Sequence, residues 1–145
     1  MLVSSIGCAG NSVGDTSVKP AAQSSTGRPL YERLGGKPAI TAVVDQFVAN
    51  VAADKRINGR FATTDIPRLK GHLVDQVCSV TGGPCMYRGR DMVATHQGMR
   101  ITNDDFSALV QDLVAALDKF NVPAQEKSEL LALLGPMKKE IVEVP

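Results

Sequence analysis

Residues 102–120 read TNDDFSALVQDLVAALDKF, and this stretch carries the clearest structural signal in the chain. Phe106, Leu109, Val110, Leu113, Leu117 and Phe120 recur at steps of three and four, which places them on one face of an amphipathic helix. Thr102 with Asp105 three positions later supplies a capping box, so the start of the helix is written in as well. Working outward, Pro67 opens another helix with Leu69, Leu73, Val77 and Val80 roughly on one side, ended by Gly82-Gly83-Pro84. Before it, Pro38 opens a helix whose apolar face holds Ile40, Val43, Val44, Phe47 and Val51, running to about Asp54. Pro29 to Leu34 predicts a short helical turn stopped by Gly35-Gly36, and Asp91 to His96 predicts a very short helix. Downstream, Pro123 opens a last helix through Leu130, Leu131, Leu134 and Ile141 to about Val142, kinked at Pro136. No segment alternates with period two. The class is all-α, with about four substantial helices and two or three short ones.

The chain has 145 residues, a length that fits one domain, with 43% hydrophobic residues and 21% charged. A net charge of +1 without a local run of Lys or Arg gives no electrostatic footprint for nucleic acid. No run approaches the ~20 apolar residues that a membrane-spanning helix needs. With no Trp, two Tyr and four Phe, the core must be built from Val, Leu, Ile and Ala. Residues 1–28 read differently from the rest: 11–28 are rich in Ser, Thr, Gly, Pro and Ala without periodicity, a disordered tether ahead of a folded domain at 29–145. The small residues leading into Cys8 resemble the tail of a bacterial lipoprotein signal. A basic n-region and a full apolar run are missing, so an incidental cysteine in a disordered terminus is the competing reading. A periplasmic or lipid-anchored protein, with Cys8 as the anchor, and a cytoplasmic one are both open on this reading. Cysteine number is odd, at three, so one at least is unpaired within the chain. Cys78 near a helix end and Cys85 beyond the Gly82-Gly83-Pro84 turn can approach one another, and in an oxidising compartment they would pair.

Chemistry must come from few residues. No phosphate-binding Gly loop is present, and the spacing of Cys78 and Cys85 is not that of a structural zinc site. The two histidines sit in informative places. His72 lies beside the apolar stripe of its helix, and His96 ends a short helix. One reading makes the first an exposed side chain and the second a helix-terminal one facing the dipole. A mixed site with Cys78 and Cys85 is another. An all-α domain with a histidine on each side of a chain reversal also permits axial ligation of haem iron. Spacing alone leaves these open.

From Pro29 to about Val142 the sequence resembles the group I truncated haemoglobins, short two-over-two α-helical globins. The matching pieces are LYERLGG (30–36), VDQF (44–47), Phe61, RLKG (68–71), TGGP (81–84), YRG (87–89) and MVATHQG (92–98), continued in register by Ile101, Thr102 and Phe106. The resemblance implies a truncated globin fold with short first and proximal helices. It implies haem b as cofactor and His96 as the proximal iron ligand. Phe61 falls on the aromatic that packs on the haem face, and Phe47 on a core aromatic beside the distal pocket. Leu69 and Leu73 match distal positions, and Met92, Ile101 and Phe106 match proximal ones. Lys70, Tyr87 and Arg90 are candidate partners for the propionates on charge or hydrogen-bonding grounds. Some members attach haem covalently through a third histidine in the last helix. This chain has two histidines in all, so its haem is expected to be held non-covalently.

The departures from the family pattern are concentrated on the distal side. Val48 stands where a Tyr commonly donates to bound oxygen, and Leu73 where many members carry a Gln of the same network. His72 falls where some members place a histidine that occupies the sixth iron site. Arg100 replaces a small residue after the proximal turn, and the sequence assigns it no role. The expected function is reversible binding of O2, CO or NO by a six-coordinate bis-histidine haem, with His72 displaced by the ligand. The alternative is a bis-histidine protein for electron transfer or nitrogen-oxide detoxification, with nitric-oxide dioxygenase or reductase activity and an electron-donating reductase as partner. A haem-free helical interaction module is the third reading.

Overall fold

The structure, a computed structural model, describes residues 27–145. Its elements there are all helical, apart from an isolated bridge between Thr102 and Val144. After Pro29 come α1 (Leu30–Leu34), then α2 (Gly36–Ala53), joined by Gly35 in left-handed backbone at φ 107°. Pro38 therefore falls inside the first turn of α2 rather than opening it, still at a position whose N–H has no intrahelical acceptor to lose. A 3₁₀ turn (Asn58–Phe61) leads to α3 (Ile66–Val80), whose N-cap Asp65 accepts from the Arg68 N–H at 3.1 Å. The single-turn α4 (Met92–His96) is capped by Asp91, which accepts from the Ala94 N–H at 2.8 Å. In α5 (Asn103–Lys119) the expected capping box forms in both directions between Thr102 and Asp105. The chain ends with α6 (Ala124–Leu134), a 3₁₀ turn (Gly135–Met137) and α7 (Lys138–Ile141).

The last segment departs from expectation. Pro136 does not kink one long helix but separates two short ones. Its ring removes an N–H and crowds the preceding turn, so the α-helical ladder gives way to a 3₁₀ turn while Leu134, Gly135, Met137 and Lys138 keep right-handed helical backbone.

The core forms where α2 lies across α3 and α5. Ile40, Val44, Phe47, Val48 and Val51 of α2 are buried against Val74 and Cys78 of α3 and Ala108 and Ala116 of α5. The alanines let α5 approach closely, while burial of each larger side chain contributes roughly 1.5–3 kcal/mol. A second cluster of Leu30, Leu117 and Leu130 joins α1, α5 and α6. At its edge the Arg33 side chain, 7% exposed, bridges α1 to α6 by donating to Glu126 (3.2 Å) and Glu129 (2.5 and 3.0 Å). An apolar cavity of about 30 Å³ lies between these layers, lined in part by Leu34, Val43, Leu113 and Leu130.

Cys78 and Cys85 form a disulfide, with Cα atoms 5.7 Å apart. The turn between them packs tightly: a Cβ on Gly83 would come within 2.5 Å of the Tyr31 ring and 2.7 Å of Cys78 Sγ, so only glycine fits. The tether and Cys8 lie outside the described residues, save for Gly27 and Arg28, which are exposed.

Candidate haem site

The two histidines sit on α3 and α4, which meet through a polar contact. Gln76 of α3 donates to Met92 Sδ of α4 at 3.6 Å and to Met137 Sδ at 3.3 Å. His72 is one helical turn before Gln76 and His96 one turn after Met92, so both imidazoles lie one turn from the same seam.

His96 is half-buried, and its Nδ1 lies 2.8 Å from the Met92 carbonyl oxygen. A carbonyl only accepts, so Nδ1 must be the protonated nitrogen of the neutral ring. Nε2 is then left with a free lone pair, and it has no hydrogen-bond partner among the described residues. This is the arrangement that metal-ligating histidines adopt. The donor chemistry therefore fits an iron porphyrin.

The distal residues divide by depth. Phe47 and Val48 are buried in the α2 core, while Leu69, Lys70, His72 and Leu73 of α3 are half-buried. Phe61, at the end of its 3₁₀ turn, and Leu73 pack against that core from the side. Val48 and Leu73 bring no hydrogen-bond donor. The His72 ring meets the Tyr87 ring edge-on, with centroids 6.0 Å apart and an angle of 75°, and makes no hydrogen bond among the described residues.

Of the residues matched to proximal positions, Ile101 is buried and Met92 and Phe106 are half-buried. Lys138 Nζ stands 5.9 Å over the Phe106 ring. Of the residues matched to the propionates, Lys70 pairs with Asp45 of α2 at 3.2 Å, and the Tyr87 hydroxyl donates to the Arg90 carbonyl at 2.6 Å. Burial, then the nearby Asp91, raises the Tyr87 pKa, which keeps the phenol neutral. Both groups are thus engaged within the protein, and Arg90 itself is exposed.

Three residues without a sequence signal complete the site: Gln76 at the seam, and Arg60 and Glu143 around the turn that follows His96. Arg60 donates to the Met99 carbonyl at 2.5 Å and to Asp105 at 2.6 Å. Glu143 accepts from the backbone N–H groups of Gly98 and Arg100, and these bonds hold its carboxyl below the usual range. These contacts join positions far apart in sequence, and no periodicity encodes them.

The Group 1 truncated hemoglobin GlbN of Mycolicibacterium paratuberculosis is 38% identical over 112 residues, covering 77% of this chain and 82% of that protein. A family model described as bacterial-like globin matches residues 29–143. The chain belongs to the group 1 truncated haemoglobins. The truncated haemoglobin of Tetrahymena pyriformis in its Fe(III) form superposes with a TM-score of 0.77 at 30% identity, covering 79% of this chain and 98% of that one. The 2/2 hemoglobin of a Synechococcus species, in the cyanomet state with covalently attached heme, gives a TM-score of 0.75 at 31% identity, again over 79% and 98%. The fold is thus the two-over-two globin fold, and the protein is a globin that binds haem and gaseous ligands such as O2. Among the described residues no helix is long and apolar enough to cross a membrane.

Proposed function

We propose that this truncated haemoglobin holds haem b non-covalently, with His96 as proximal ligand and His72 as a displaceable sixth ligand, and binds O2, CO or NO reversibly. The observation that carries this reading is the 2.8 Å approach of His96 Nδ1 to the Met92 carbonyl, which commits one nitrogen and frees the other. Haem iron supplies the coordination position at which a diatomic ligand binds. The chain's own residues supply the rest. Met92 and Asp91 orient the proximal imidazole, the first by its carbonyl and the second by capping α4. Phe61, Leu69, Leu73, Ile101 and Phe106 offer an apolar surface from which water is excluded. Val48 and Leu73 leave His72 as the polar group nearest the distal face, with its ring steadied by Tyr87 and its nitrogens free of protein partners.

Two histidines in the whole chain leave none for a covalent link, so the haem should be extractable. The missing donors at Val48 and Leu73 also support a second reading, electron transfer or nitrogen-oxide chemistry served by an electron-donating reductase. Permanent axial imidazoles would leave little to reorganise at the iron.

His96→Gly tests the proximal assignment. It should lose haem, and imidazole added to the solution should restore binding. Retention of haem with an unchanged spectrum would refute it. Mixing CO with the reduced protein separates the two functions: a fast displacement, saturating at the rate at which His72 leaves, supports ligand binding. Refusal of CO supports electron transfer and speaks against nitrogen-oxide chemistry.

A further inference from the structure

The turn that follows His96 is gripped from two sides by groups that α4 does not own. Glu143, beyond α7, accepts from the Gly98 N–H at 2.6 Å and the Arg100 N–H at 2.7 Å. Both residues have left-handed backbone, φ 85° at Gly98 and 55° at Arg100. The tail answers with its own backbone, since the N–H groups of Glu143 and Val144 donate to the Ile101 carbonyl at 2.9 and 3.0 Å. From the other side Arg60 takes the Met99 carbonyl, while the Met99 N–H donates to the His96 carbonyl at 3.0 Å. Peptide groups from His96 to Ile101 are thus pinned in alternating directions.

A helix of one turn cannot hold its own shape, because nucleation costs more than its few bonds return. The Nδ1 bond to Met92 fixes the His96 ring relative to α4, and the direction of α4 itself is set by what fixes its two ends. Asp91 fixes the first. We propose that Glu143 is the positioning residue at the second: by clamping the Gly98 and Arg100 N–H groups it sets the angle at which His96 presents Nε2. The same clamp accounts for Arg100, a non-glycine residue kept in left-handed backbone because its N–H has a charged acceptor.

This rests on His96 being the proximal ligand, and the test separates the two claims. The full haem-loaded chain is converted to its CO complex, photolysed, and the iron–histidine stretching band recorded by time-resolved resonance Raman before a sixth ligand returns. The wild type should give one narrow band. Glu143→Ala should shift and broaden it and speed haem transfer to an excess apo-globin about tenfold, the loss typical of groups that orient a ligand. Glu143→Gln, which keeps one acceptor oxygen, should fall between. Glu129→Gln, which loosens the Arg33 bridge between α1 and α6, should lower thermal stability and leave the band in place. A band in Glu143→Ala superimposable on the wild type, or an equal shift in Glu129→Gln, would overturn the positioning role alone. A wild type without an iron–histidine band would overturn that role together with the assignment of His96.

Discussion

At the scale of single residues, two places among the described residues carry a cost that a substitution can relieve. Asp112 of α5 has one carboxylate oxygen buried without a partner, and burial followed by the neighbouring Asp54 raises its pKa. Arg56, by hydrogen bonds first of all, draws Asp54 the other way, to about 2. The signs are opposite. A carboxyl with a raised folded pKa contributes stability below its unfolded value that is lost as pH climbs through the folded one, so ionised Asp112 costs stability at neutral pH. Asp54 contributes stability above about 3.8 that disappears as pH falls toward about 2. Asp112→Asn should therefore raise Tm at pH 7 by roughly 2–4 °C, the equivalent of about 1 kcal/mol in a domain of this size. Melts at pH 7 and near pH 3 should show that gain shrinking as wild-type Asp112 becomes protonated. The second place is Arg100, where Arg100→Gly removes a left-handed cost of ~1 kcal/mol against some added freedom in the unfolded chain, for a small net gain in urea midpoint. The place of His96 at the end of a short helix was legible in sequence, whereas its Nδ1 bond to the Met92 carbonyl appeared only in the structure. The reason Arg100 tolerates φ 55° was not legible either, because its partner Glu143 lies 43 positions away.

At the scale of elements, boundaries written in local capping chemistry were the ones legible in the sequence. Thr102 and Asp105 announce α5 because a cap is a local exchange of hydrogen bonds between residues three apart. Thr102→Ala should cost about 1 kcal/mol, read as a lower midpoint in urea at unchanged slope. The disturbance at Gly135-Pro136 was legible, but not the 3₁₀ turn it produces between α6 and α7, since the tail beyond is held by Glu143 on the turn that follows His96. The Cys78–Cys85 bridge belongs to this scale too, because it ties the end of the helix carrying His72 to the loop carrying Tyr87. Closing so short a loop is worth ~2.5 kcal/mol by chain entropy. Treatment with a dithiol reductant should lower stability by about that amount, and Cys78→Ser with Cys85→Ser should show the lower stability and no response to the reductant.

At the scale of the whole molecule, a chain poor in aromatics places its largest aliphatic clusters under α2 and α5 and leaves α3 and α4 meeting at a seam marked by the polar contact of Gln76 with Met92. The cavity in the main core is no part of that seam, for none of the candidate haem residues lines it. Amphipathic periodicity made the first arrangement legible, whereas the seam is visible only once helices of different length are folded together. The central claim is that the two histidines flank one iron. It is tested most directly by the absorption spectrum of the reduced, ligand-free protein at neutral pH, beside that of His72→Leu. The wild type should give a low-spin six-coordinate spectrum and the variant a high-spin five-coordinate one. A high-spin wild type indistinguishable from His72→Leu would contradict it.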